Sequence, residues 1–196
     1  MPSKPVLSDS DKKAIRERLK ALCEECWTAQ GYKKTSIKTL CDQAEISIGT
    51  FYTLYPAKED LFSDTIEAIQ ARLMRNVLDI NRASQTREGF ARSMKELVRE
   101  YGSKPFLYNV NTPDFQSFVT KLPEESVQKI KFDSFDFFHQ AVQAANLTLN
   151  MEPSQAYGIL SALLATVSAR ETLSRTCDYF AVFDAMADIL VSKIFQ

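Results

Sequence analysis

The sequence predicts an all-α chain: a three-helix, helix-turn-helix unit over residues 1–56, then a larger helical domain over residues 57–196, with about nine helices in total. Three observations carry this. Apolar residues recur at spacings of three and four along most of the chain, the period of an amphipathic helix. Only 5 glycines and 7 prolines punctuate 196 residues, too few for a turn-rich β fold. Nowhere does apolar–polar alternation coincide with a β-branched run, so no segment reads as a strand. With 45% hydrophobic residues the chain can bury a sizeable core. Its 24 basic and 25 acidic side chains give a net charge of −1, so any basic surface must be local. One histidine argues against histidine-rich metal sites, and no metal or cofactor is expected. No apolar run approaches membrane-spanning length, and Met1-Pro2-Ser3-Lys4-Pro5 leads into charge rather than into a signal-peptide core. A soluble cytoplasmic protein is the expectation.

The elements follow in order. Behind a frayed tail, Ile15, Leu19, Leu22, Cys23, Cys26 and Trp27 mark a helix from Asp9 to Gln30, stopped by Gly31. Thr35 or Ser36 caps a short second helix whose inward face is Ile37, Leu40, Cys41 and Ala44. Ser47 caps a third through Leu54, and Pro56 ends it. A fourth helix runs from about Ala57 to Asn81, and Thr86 caps a fifth that ends near Gly102. Residues 103–113 read as a connection, followed by a short helix to about Lys121. One long helix is expected from Pro123 to about Asn146, another from Pro153 to about Ser174, and a last one over Asp178–Ile194. Cys23 and Cys26 have CxxC spacing. Inside a helical pattern they share one face and read as small buried hydrophobes, with a thiol sensor as the alternative.

The informative segment is Thr35–Leu61. Two short helices joined by a tight turn, with a longer helix before them, can present one helix to a DNA major groove. On the third helix Phe51 points inward, while Thr50, Tyr52, Thr53 and Tyr55 offer hydroxyls and Gly49 lets a backbone approach. Hydroxyls can bond phosphates or base edges. Residues 1–60 hold ten basic against nine acidic side chains, but Lys33, Lys34, Lys38 and Lys58 flank this segment.

Thr35-Ser36-Ile37-x-x-Leu40, Ile46-Ser47-x-Gly49-Thr50-Phe51-Tyr52 and Tyr55-Pro56-x-Lys58-Glu59-x-Leu61 together resemble the DNA-binding signature of TetR/AcrR-type transcriptional regulators. The resemblance spans about a quarter of the chain, Asp9 to Leu61. It implies contacts to double-stranded operator DNA from Thr35, Ser36, Lys38, Ser47, Ile48, Gly49, Thr50, Tyr52, Thr53, Tyr55 and Lys58. Glu45 stands where the family often has glycine, so a left-handed residue there would carry strain. Ala57 replaces the usual Ser or Asn and removes a cap from the fourth helix.

Most of the thirteen phenylalanines lie from Phe90 onward. Met94, Tyr101, Phe106, Tyr108, Phe115, Phe118, Phe132, Phe135, Phe138 and Tyr157 are candidates to line an apolar effector cavity, with Asn109, Asn111, His139 and Arg170 as polar anchors. The expected effector is apolar or amphipathic, and cationic if Asp133, Asp136 or Glu171 faces the cavity. The last two helices are apolar over wide arcs and carry small residues, which points to two buried faces each. The resemblance implies an intermolecular four-helix bundle there, with Leu163 and Phe183 as interface positions. The whole reads as a dimeric, non-catalytic, ligand-responsive repressor. A helical carrier with an incidental helix-turn-helix is the rival, and an enzyme the weaker one, since no nucleophile motif or phosphate-cradling glycine loop is present.

Overall fold

Glu45, Thr166 and the other residues that end helices decide this architecture, because the apolar pattern leaves the breaks open. The computed structural model describes residues 7–130 and 133–196. The expected frayed tail, residues 1–6, lies outside the described residues, as do Lys131 and Phe132. The described residues form α1(Asp9–Gln30), α2(Ile37–Ala44), α3(Ile48–Leu54), α4(Lys58–Ser84), α5(Arg87–Ser103), α6(Pro113–Val119), α7(Glu124–Ile130), α8(Ser134–Ala145), α9(Pro153–Ala165), α10(Arg170–Leu173) and α11(Tyr179–Ile194). Among them the only β pairing is one isolated bridge, Leu149 with Phe195. The chain is all-α. No helix of the described residues is long and apolar enough to cross a membrane.

Caps explain the starts. Ser8 Oγ accepts the Asp11 N–H while the Asp11 carboxylate accepts the Ser8 N–H, both at 3.1 Å, a reciprocal box on α1. Thr86 caps α5 through the Gly89 N–H at 3.0 Å. Ala57 does not leave α4 uncapped: its N–H donates to Asp60 Oδ2 at 2.9 Å, so a side chain inside the first turn supplies the missing acceptor. Two expected long helices are broken. The one from Pro123 is two, α7 and α8, and Asp133 Oδ1 caps the second through the Asp136 N–H at 2.9 Å. The one from Pro153 stops at Ala165, where a 3-10 turn, Thr166–Ala169, leads into the single-turn α10. Thr166 Oγ1 donates back to the Leu163 carbonyl at 2.7 Å, competing with the α-helical ladder.

The helices form two units, residues 1–69 with 110–131 and residues 70–109 with 132–196. This differs from the boundary expected at residue 56: the start of α4, together with α6 and α7, belongs with α1–α3. In the first unit Trp27 of α1 lies 4.6 Å from Phe62 of α4 and 5.2 Å from Phe118 of α6, centroid to centroid. Such offset and edge contacts add about 0.5–1.5 kcal/mol per pair beyond burial. In the second unit Val98, Leu163, Val167, Tyr179, Phe183 and Ala187 make a core between α5, α9 and α11. Arg99–Asp184 (2.7 Å) and Lys95–Asp188 (2.6 Å) pair α5 with α11 at its margin.

Glu45 ends α2 in the left-handed region, φ 56° and ψ 40°. Among the described residues its carboxylate pairs with Arg18, at 3.5 Å on the surface, which is worth little. Glu45→Gly should therefore stabilise the protein by about 0.5–1 kcal/mol, raising the melting temperature by about 1–4 °C by calorimetry. A fall in melting temperature would mean the turn is not under the strain assigned to it.

Candidate nucleic-acid interface

α1 packs on α2, and α2 on α3. Leu19, Cys23 and Trp27 are buried from α1, Leu40, Cys41 and Ala44 from α2, and Phe51 and Leu54 from α3. Two arginines of α1 fix the short helices by their ends. Arg16 donates to the Leu54 carbonyl at 2.7 Å and Arg18 to the Gln43 carbonyl at 3.0 Å. These are carbonyls near helix C-termini, where cations are also favoured by the helix dipole. The sequence shows both only as charges on an amphipathic helix, and nothing local tells which carbonyl each one meets.

With Phe51 and Leu54 inward, the opposite side of α3 faces solvent: Ile48 is 48% exposed, Tyr52 is 51% exposed, and Gly49 and Thr53 are open. Ser47 Oγ accepts the Thr50 N–H at 3.0 Å and pairs with the Thr50 hydroxyl at 2.9 Å. Thr53 Oγ1 donates to the Gly49 carbonyl at 2.9 Å. Each hydroxyl keeps further lone-pair capacity for an outside partner. On α2, Ser36 Oγ accepts the Thr39 N–H at 3.0 Å, and exposed Lys38 pairs with Asp42 at 2.6 Å. Lys33 and Lys34 are exposed as well.

Three expected contact residues are not on this surface. Thr35 is buried and donates to the Gly31 carbonyl at 2.8 Å, holding the turn before α2. Tyr55 is buried too. Its hydroxyl donates to Asp64 at 2.6 Å under the Arg16 guanidinium, and burial, then the Asp64 carboxylate, push its ionisation up. Lys58 is half-buried, with Nζ 2.5 Å from the Tyr32 carbonyl and 3.9 Å from the Tyr32 ring centroid. Burial holds its pKa below the ordinary lysine value. Its periodicity and charge fit a phosphate clamp; the Tyr32 carbonyl and ring claim it instead.

A further residue went unrecognised in the sequence. Asp114, at the start of α6, accepts the backbone N–H of Tyr32 at 2.6 Å and of Lys33 at 3.0 Å. Gly31 makes room for it: φ is +85°, and a Cβ there would lie 2.9 Å from an Asp114 oxygen. The Tyr32 hydroxyl in turn donates to Glu59 and accepts from Lys121 at 3.0 Å. The turn leading into α2 is thus held from α6 and from α4. Cys23 and Cys41 are core, whereas Cys26, expected to be buried with Cys23, is only half-buried and Cys177 is exposed. Burial pushes the Cys23 thiol up to about 12, which suppresses the reactive thiolate. Among the described residues no group of His, Cys, Asp and Glu could hold a metal ion.

The second unit contains a cavity of about 330 Å³. Of the residues expected there, Met94, Tyr101, Tyr108, Phe138 and Tyr157 line it. Phe118 and Phe115 do not, because they pack on Trp27 in the other unit. Phe106 is buried without reaching the cavity. Phe135 is 40% exposed, stacked at its edge on His139 and Tyr157, and neither Phe135 nor His139 lines the cavity. Arg170 sits on α10 and is not among the lining residues, and Asn109, Asn111, Asp133, Asp136 and Glu171 are exposed. Phe132 lies outside the described residues. Leu73, Met74 and Val77 of α4 and Leu97 and Val98 of α5 complete much of the wall.

Residues 23–65 match the profile of the bacterial regulatory proteins of the tetR family. No curated protein sequence matches the chain. Similar solved structures include a TetR family transcription regulator from Marinobacter aquaeolei (14% identity, 96% of this chain and 100% of that one, TM-score 0.64). The reduced form of NemR from E. coli is also similar (17%, 92% and 98%, TM-score 0.64). So is FadR from Bacillus subtilis, solved in complex with stearoyl-CoA (15%, 91% and 98%, TM-score 0.58). At these identities the likeness is one of fold.

Asp114→Ala should cost about 2–3 kcal/mol, since two N–H groups lose a charged acceptor. Denaturant unfolding of the two proteins checks this, and an unchanged midpoint would show that the turn does not depend on Asp114. The double replacement of Tyr52 and Thr53 by alanine should leave the melting temperature within about 2 °C, as exposed substitutions do. A large loss of stability would place them in the core.

Proposed function

We propose that this TetR-type regulator is a cytoplasmic repressor that binds a palindromic operator as a homodimer and is released by a small apolar effector. The observation that supports it most directly is the division of α3 into a buried face, Phe51 and Leu54, and an exposed one, Ile48, Gly49, Tyr52 and Thr53. A short helix with small and hydroxyl-bearing residues outward is suited to a major groove, with its own Thr50 and its cap Ser47, and the α2 cap Ser36 and Lys38, offered to the phosphates.

Dimerisation is assigned to α9 and α11. Val182, Met186 and Ile189, spaced as one stripe of α11, are 44%, 41% and 61% exposed. Gly158, Ala162 and Ala165 form a small-residue stripe on the open side of α9. An apolar stripe beside a small-residue stripe matches a second copy of itself under two-fold symmetry. Leu163 and Phe183, expected at this interface from sequence, are instead buried in the chain's own core. A two-fold dimer presents its two α3 helices to half-sites separated by whole turns of roughly 34–36 Å.

Release would run through α4, which begins at Lys58 beside Tyr32 and supplies Leu73, Met74 and Val77 to the cavity wall. An effector that favours one seating of α4 shifts operator affinity reciprocally. Couplings of about 1–3 kcal/mol correspond to roughly 5–150-fold.

Retardation of promoter DNA from the protein's own gene tests the DNA reading. Binding should fall by about 10³–10⁵ between roughly 50 and 200 mM salt, as for six to ten phosphate contacts. Salt-indifferent binding would contradict it. Ile189→Glu should convert the dimer to folded monomer in light scattering, whereas Phe183→Glu should unfold the chain. A wild-type protein that stays monomeric at high concentration would overturn the dimer.

A further inference from the structure

The effector reading above leaves the chemical class of the ligand open, and the cavity wall narrows it. No charged side chain is among the described residues lining the cavity. The polar lining groups are uncharged: Gln70, the three tyrosines Tyr101, Tyr108 and Tyr157, and the three serines Ser134, Ser161 and Ser168. A charged ligand would surrender its hydration with nothing to replace it. Several rings, Phe90, Phe137, Phe138, Tyr101 and Tyr157, and the thioethers of Met74 and Met94, make up much of the rest. Rings gain from edge and offset contacts with other rings, and thioethers from contact with ring edges.

Two phenols of the wall, Tyr101 and Tyr108, have no hydrogen-bond partner among the described residues. The Tyr157 hydroxyl is paired with Ser134 at 2.6 Å. Tyr108 lies within the influence of the Arg170 and Glu171 charges, whereas burial alone pushes the ionisation of Tyr101 up. The Tyr101 side chain is only partly buried, so water can meet its hydroxyl, and a ligand oxygen would take that water's place as acceptor. At about 330 Å³ the cavity sits at the small end of ligand pockets, which run from about 300 to 1,000 Å³.

We propose that this cavity binds an uncharged aromatic compound carrying a carbonyl-type acceptor, which takes a hydrogen bond from the Tyr101 hydroxyl. Binding is non-covalent and needs no rearrangement of protons. The proposal rests on the effector reading only for its consequence on DNA; occupancy of the cavity can be measured without DNA.

A matched diaryl series tests it by isothermal titration calorimetry on the full chain: benzophenone, diphenylmethane, diphenylacetate and benzhydrylammonium. Benzophenone should bind saturably at one per chain. The anion and the cation should bind at least about 100-fold more weakly, since each would be an unpaired buried charge. Tyr101→Phe should weaken benzophenone by about five- to tenfold, the worth of one hydrogen bond, and leave diphenylmethane unchanged. Equal loss of both probes would mean Tyr101 acts by packing, and overturns the proposal. So would a charged probe that binds as tightly as benzophenone, or failure of benzophenone to bind. A ketone that binds as described yet leaves promoter retardation unchanged supports the ligand class and removes the effector role instead.

Discussion

The two N–H groups of Tyr32 and Lys33 that Asp114 accepts are the point on which the helix-turn-helix unit depends. α2 is only eight residues and α3 only seven, both shorter than a helix that stands alone in water. Their orientation therefore comes from what holds their ends. Asp114 and Thr35 fix the turn into α2, Arg18 the end of α2, and Arg16 the end of α3. Gly31 is required because its positive φ and missing Cβ leave space for the carboxylate. Behind the turn, Trp27, Tyr32, Phe62 and Phe118 bring α1, α4 and α6 into one aromatic cluster. The side chains exposed on α3 are then the ones the core has no use for.

The same logic divides roles among residues that look alike in sequence. Tyr52 and Tyr55 are three positions apart, yet one faces solvent and the other is locked to Asp64 and Arg16. Lys38 and Lys58 flank the same motif, but Lys58 completes the Tyr32 turn and is half-buried. In the second unit the lining of the cavity is uncharged because Arg170, Glu171, Asp133 and Asp136 stand elsewhere. A neutral apolar wall sorts ligands by the cost of desolvation more than by affinity for any one group.

What was legible in the sequence was local. Ser36, Ser47 and Thr86 cap the helices they were expected to cap, because an N-cap is a contact across three residues. The left-handed Glu45 was foreseeable from its place in the turn. Tertiary partners were not. Phe118 has the same composition signal as Phe138, and only the path of α6 sends one to Trp27 and the other to the cavity. The break after Ala165 was hidden because Thr166 and Val167 continue the apolar spacing, while the Thr166 hydroxyl diverts the backbone. Tyr55 read as exposed because its aromatic ring and hydroxyl fit either side, and the burial is decided by Asp64 nine residues later.

The central claim is that the outward side of α3 is the surface that meets DNA. Site-specific photo-crosslinking tests it most directly, with a benzophenone-bearing amino acid placed at Tyr52 or at Tyr55 and the protein bound to its promoter fragment. The account predicts DNA crosslinks from position 52 and essentially none from position 55, whose side chain is enclosed between Arg16 and Asp64. Crosslinks from position 55 with none from position 52 would contradict it.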